Sequence, residues 1–158
     1  MKNPSLYSIA CLFLFFSACQ EKEELFSPNL IGTWEIANWN ESIERESVVS
    51  FIFKSDGTYT YQWTDRLSKE DDNVGYQLLH KGFFSSLGDQ LSLMPREIFY
   101  PPIQNNGPPF GPKEELVKAD FSSTQVDRMQ FRISEDGQEL LIYADDPQAL
   151  DMLYTKVE

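Results

Sequence analysis

The stretch S50-F-I-F-K-S-D-G-T-Y-T-Y61 decides the fold. Val49, Phe51 and Phe53 alternate with polar or smaller residues, so they share one face of a strand. Asp56-Gly57 supplies the left-handed backbone that a tight hairpin needs. Thr58 onward then runs back with the same period. Tyr59, Tyr61 and Trp63 lie on one face, and Thr58, Thr60 and Gln62 on the other. One amphipathic hairpin is thereby specified, and its greasy face must be covered by more sheet.

Outward from the hairpin the pattern repeats. Leu30 to Trp39 precedes it as a first strand. Val74 to Phe84 follows as one long strand or two, and Gly88-Asp89 turns into Leu91-Ser92-Leu93. Met129, Phe131 and Ile133 alternate, Glu135-Asp136-Gly137 turns, Leu140 to Ala144 runs back, and Met152 to Val157 ends the series. No stretch after Cys19 carries a sustained helical period. Short strands with Asp-Gly hairpins predict an all-β domain, either an antiparallel up-and-down barrel of eight or nearly eight strands or a β-sandwich.

One segment breaks the pattern. Residues Pro95 to Asp127 hold Pro101-Pro102, Pro108-Pro109 and Pro112 with Gly107 and Gly111. Proline cannot donate to a strand ladder, so a loop is predicted over 95–127, with one short strand recovered somewhere in Glu115 to Phe121. A loop of that length is either functional or disordered. Phe99, Tyr100 and Phe110 are candidate lid residues within it, because a purely solvated linker would lack large rings.

The N-terminus reads differently. Met1 to Asn3 is basic, Leu6 to Phe16 is almost wholly apolar, and Ser17-Ala18 are small. This is the layout of a secretory signal. The apolar run is too short to cross a hydrocarbon core of roughly 30 Å, which takes about 20 residues. Ser17-Ala18-Cys19 resembles the lipobox of bacterial lipoproteins. That resemblance implies cleavage before Cys19, a lipid on its thiol, and attachment to the membrane through that lipid. Gln20-Glu21-Lys22-Glu23-Glu24 is a solvated spacer or, by resemblance to acidic export signals, a surface-sorting mark. Without Asp at position 20, the resemblance implies the outer membrane, facing the periplasm or the cell surface. The expected organisation is a signal peptide at 1–18, a lipidated tether at 19–28 and the barrel domain at 29–158.

Gly32-Thr33-Trp34 at the start of the first strand resembles the Gly-X-Trp signature of lipocalins and bacterial lipocalin-like lipoproteins. The hairpin at 50–61, Gly75-Tyr76-Gln77-Leu78, the later L87-G-D-Q-L-S-L93 and M152-L-Y-T-K-V157 match that bacterial group in order. The resemblance implies a barrel whose tryptophan plugs one end beneath a basic residue of the last strand. Here Gly32, Trp34 and Lys156 would form that plug. An ammonium over an indole is worth roughly 0.5 to 2 kcal/mol, depending on desolvation.

Composition limits what the domain can do. Formal charge is −12 across the chain and becomes slightly more negative once Lys2 is removed, which argues against nucleic acid as a partner. Cys11 leaves with the signal and Cys19 carries lipid, so neither an intrachain disulfide nor a cysteine-based metal site is expected. His80 is the only histidine, with no nucleophile elbow nearby. Asp71-Asp72-Asn73 and Asp145-Asp146 lack the spacing of a dedicated calcium loop. The expectation is a non-enzymatic protein with no metal and no cofactor. Tyr59, Tyr61 and Trp63 are candidate ligand-lining residues, although the same rings could simply fill the barrel. Two functions stay open: carriage of a small apolar ligand, or docking of an envelope protein on the proline-rich loop.

Overall fold

A computed structural model describes residues 26–42, 44–67, 73–102, 109–120, 126–143 and 151–157. Among the described residues nine strands form one antiparallel sheet: β1 (Gly32–Asn40), β2 (Arg45–Phe53), β3 (Thr58–Arg66), β4 (Asn73–Leu87), β5 (Gln90–Tyr100), β6 (Val117–Lys118), β7 (Asp127–Ile133), β8 (Glu139–Tyr143) and β9 (Met152–Lys156). Each strand from β1 to β5 pairs with the next. β5 then pairs with β7, β7 with β8, β8 with β9, and β9 returns to β1. Eight strands therefore close into an up-and-down barrel of lipocalin-like architecture, and β6 adds to the far end of β5 outside the ring. The sandwich alternative is excluded, since closure leaves one continuous sheet.

Local chemistry sets the turns. In the first hairpin Gly57 has φ 82°, and its N–H donates to the Lys54 carbonyl at 3.0 Å. The Asp56 carboxylate accepts from the Thr58 N–H at 2.9 Å and from its hydroxyl at 2.6 Å. The β7–β8 turn repeats the device with Gly137 and Asp136.

β4 is one strand of 15 residues. β5 runs to Tyr100, so the first six residues of the expected 95–127 loop are strand. The reason lies opposite Pro95. Its partner is Gly82, at a bulge where the register jumps from Lys81↔Glu97 to Gly82↔Pro95. A β-bulge suspends the regular ladder, so a residue without an N–H is tolerated there. Glycine is required at 82 because a β-carbon would collide with the Met94 carbonyl oxygen.

The barrel has a sealed pole and an open one. The short 3-10 turn Pro28–Leu30 lies at the sealed pole, and the Leu30 carbonyl accepts from the Trp34 indole N–H at 2.7 Å. Trp34, Leu30 and Tyr154 are fully buried. Phe51 packs 5.4 Å from Tyr154, and Phe53 lies 4.8 Å from Phe84. Leu91, Leu93, Phe131, Leu140 and Ile142 complete a core that fills this half of the lumen.

Trp34 sits directly across from Lys156 in the β1–β9 pairing, and the Lys156 ammonium lies 5.0 Å from the indole centroid. That pairing spans only two residue pairs, reinforced by a 2.9 Å bond from the Val157 N–H to the Thr33 carbonyl. Gly32 has φ 134°, a backbone angle that residues with a β-carbon rarely adopt.

Removal of the indole leaves a cavity and an unpaired carbonyl. Trp34→Ala should lower stability by about 3 to 5 kcal/mol, and Lys156→Met by about 0.5 to 2 kcal/mol. Urea denaturation measures both; a midpoint unmoved in Trp34→Ala would show that the ring does not hold the pole shut.

Candidate functional site

Register places side chains in layers across the lumen. Trp34, Phe51, Tyr61, His80 and Ile98 are successive partners on β1 to β5 and share the inner face. The next layer toward the open pole is Ile36, Val49, Trp63 and Leu78. The one beyond is Asn38, Ser47, Asp65 and Gly75. The lining thus passes from aromatic, through aliphatic, to polar at the rim. The loops between β1 and β2, β3 and β4, β5 and β7, and β8 and β9 all leave from this open pole.

The three candidate lining aromatics are spread along that gradient. Tyr59 is buried in the filled half. Tyr61 is half-buried at the boundary, 4.9 Å from Phe51. Trp63 stands at the mouth, 38 % exposed, and donates its indole N–H to the Ser47 hydroxyl at 2.6 Å. Burial pushes the Tyr61 hydroxyl above its usual range, and does the same more strongly to Tyr59 and Tyr154.

Two groups on the inner face keep unused polar capacity. The His80 ring lies 5.4 Å from Tyr61, and its Nε2 is buried with no hydrogen-bond partner. Burial lowers its pKa from 6.5, against an opposing pull from the Asp127 carboxylate. Asp127 stands opposite Leu93, which puts it on the same inner face. Asp65 is 1 % exposed; its Oδ2 accepts from the Gln77 amide at 2.9 Å, while Oδ1 has no partner. An unpaired buried polar atom costs about 1 to 3 kcal/mol, and a ligand group that supplies the bond recovers it.

Of the candidate lid residues, one sits at the mouth. Phe110 packs against Gly75, where a β-carbon would overlap its ring. The Arg45 guanidinium lies over that ring, 4.5 Å from its centroid. Gly111 exchanges backbone bonds of 2.8 and 3.1 Å with Tyr76, taking the edge of β4 that β5 has left. Phe110 therefore bridges β2 and β4 at the rim. Phe99 and Tyr100, expected in the loop, are strand residues. Phe99 is half-buried on the outer face beneath Lys81, and Tyr100 is exposed at the strand end.

Cys19, Asp71, Asp72, Asp145 and Asp146 lie outside the described residues, and Asn73 opens β4. Among the described residues no group of three or more His, Cys, Asp or Glu is placed to hold a metal ion. Sequence reasoning passed over Ser47, Asp65 and Gln77. The first two were within reach of the alternation that places Val49 and Trp63. Gln77 sits at a β4 register shift, which alternation does not reveal.

Comparison of the chain with protein-family models, curated proteins and solved structures finds no match.

His80 makes stability depend on pH. Its folded pKa is depressed, so its contribution is full above pH 6.5, the ordinary value, and is lost as pH falls toward the folded pKa. Thermal midpoints of wild type and His80→Phe, taken between about pH 7.5 and 5.5, should show the wild type losing more stability on acidification. Parallel profiles would mean that the imidazole is solvated in the fold.

Proposed function

We propose that this protein is a lipid-anchored, lipocalin-like lipoprotein of the bacterial outer membrane that carries a small, mainly apolar ligand in the open half of its barrel, without catalysing a reaction. The observation that carries this reading is the pair of buried atoms without a hydrogen-bond partner, His80 Nε2 and Asp65 Oδ1, on the inner face of a barrel whose packed core gathers at the sealed pole. A ligand suited to that half presents an apolar body to Ile36, Val49, Trp63 and Leu78 and one or two polar groups to His80 and Asp65. Tyr61 forms the floor and Phe110 covers one side of the rim. Small-molecule sites commonly combine an apolar lining with a few placed polar groups.

The half-buried setting of Phe110 under Arg45 favours its role as a cover over that of a docking residue for an envelope protein. The anchor is supported by the Ser17-Ala18-Cys19 pattern after an apolar run.

Two measurements test the reading. The neutral dye N-phenyl-1-naphthylamine should bind wild type saturably at one site. Val49→Trp, which fills the aliphatic layer, should weaken binding by at least about tenfold, or ~1.4 kcal/mol. Equal binding by a folded Val49→Trp protein would rule out the lumen as the site. Separately, cells fed radioactive palmitate should label wild type and not Cys19→Ala; label retained by the variant removes the anchor.

A further inference from the structure

The outer face of β3, β4 and β5 runs against the charge of the chain. Formal charge is −12 overall, yet a groove of about 550 Å³ on this face is lined by Lys54, Lys81, Arg96 and Lys118. Its one carboxylate among the described residues, Glu97, is bonded to Lys118 at 2.7 Å. Nearby Asp56 is engaged by Thr58. Among the described residues Lys54, Lys81 and Arg96 form no ion pair, and Thr58 and Thr60 line the same groove.

Apolar side chains project beside these cations. Phe83 is 46 % exposed and Leu87 is 83 % exposed. They lie four residues apart on β4 and so share its outer face. The Arg96 guanidinium is 5.8 Å from the Phe83 ring.

The position of this face matters. Phe26, the first described residue, packs 4.8 Å from Phe84 and stands beside Gly57, in the turn that carries Lys54. The chain leading back to Cys19 therefore joins the barrel at the sealed pole, next to one end of the groove. Six residues lie between Cys19 and Phe26, and the seven steps from one to the other, fully extended, reach at most about 25 Å. The other rim of the same pole, the β7–β8 turn, carries Glu135 and Asp136 instead.

We propose that the face formed by Lys54, Lys81 and Arg96 with Phe83 and Leu87 is a membrane-docking surface for the phosphate-bearing headgroups of lipids. This rests on the reading of Cys19 as a lipid anchor, which brings the sealed pole to the bilayer. The charged face then decides which side lies down. Phe83 and Leu87 enter the boundary between headgroups and acyl chains, and the cations meet phosphates at the same depth. The acidic remainder of the barrel is repelled by the same surface. The barrel leans onto β3–β5, and its open pole is held toward solvent.

Lysine footprinting of the whole protein purified from a bacterial host tests this. The protein is mixed with vesicles of phosphatidylcholine, with or without phosphatidylglycerol, and acetylated by a water-soluble reagent. Mass spectrometry then reads each lysine. Lys54 and Lys81 should become severalfold less reactive on phosphatidylglycerol vesicles, while Lys113, two residues past the Gly111 contact at the rim of the open pole, keeps its reactivity. High salt should abolish the protection, and so should F83S/L87S, with its unfolding midpoint checked against wild type. Unchanged reactivity of Lys54 and Lys81 on anionic vesicles overturns the proposal. So does equal protection by free inositol hexakisphosphate, which would mark a site for soluble polyanions. The N-terminal peptide in the same spectra reports separately whether Cys19 carries lipid, so loss of the anchor reading is distinguishable from loss of the docking surface.

Discussion

The buried indole of Trp34 organises the barrel. Its N–H is bonded to the Leu30 carbonyl, its face is covered by the Lys156 ammonium, and its strand meets the last strand at that level. Closure of an antiparallel barrel asks the first and last strands, far apart in sequence, to find each other. Here only two residue pairs do so. A large ring held on three sides supplies what that short ladder lacks. It also ties the 3-10 turn at Pro28–Leu30 across the pole, so sealing the end and closing the circle are one event.

The rest follows from which half of the lumen that plug fills. Rings from β2, β3, β4 and β9 crowd around Trp34. One layer higher the lining turns aliphatic, and at the rim it turns polar. The unsatisfied nitrogen of His80 lies level with Trp34, beside Tyr61, and the unsatisfied oxygen of Asp65 lies at the rim. Low dielectric makes such atoms costly, which is why they read as ligand-facing groups rather than as packing. Phe110, pinned between Gly75 and Arg45, contributes to the same mouth from a segment that is otherwise irregular.

The outside of the barrel is as uneven as the inside. The network of Arg66 with Glu46 at 2.6 Å and Glu35 at 3.6 Å ties β1, β2 and β3 together on their outer face. Further round, on β3 to β5, cations gather beside exposed Phe83 and Leu87. A meander makes this segregation simple. Neighbouring strands are neighbours in sequence, so a few substitutions along two hairpins recolour one contiguous face without disturbing the core on the other side of the sheet.

The alternation of residues 49 to 63 and the Asp-Gly turns determined by themselves that the chain would be antiparallel β, because side chains on a pleated strand point to opposite faces and a left-handed glycine fits a tight hairpin. They also located most strands. The end of β5 was not legible: Pro95 argues for a loop unless Gly82 is known to stand opposite it in a bulge, and that pairing exists only in three dimensions. The spread of Tyr59, Tyr61 and Trp63 from core to rim was hidden for a similar reason. Periodicity assigns a face but not a depth, and depth depends on where the plug sits. Only the tertiary structure decided between barrel and sandwich, brought Lys156 onto Trp34, and set His80 and Asp65 in one lumen, since each of these joins residues distant in sequence whose contact no local pattern encodes.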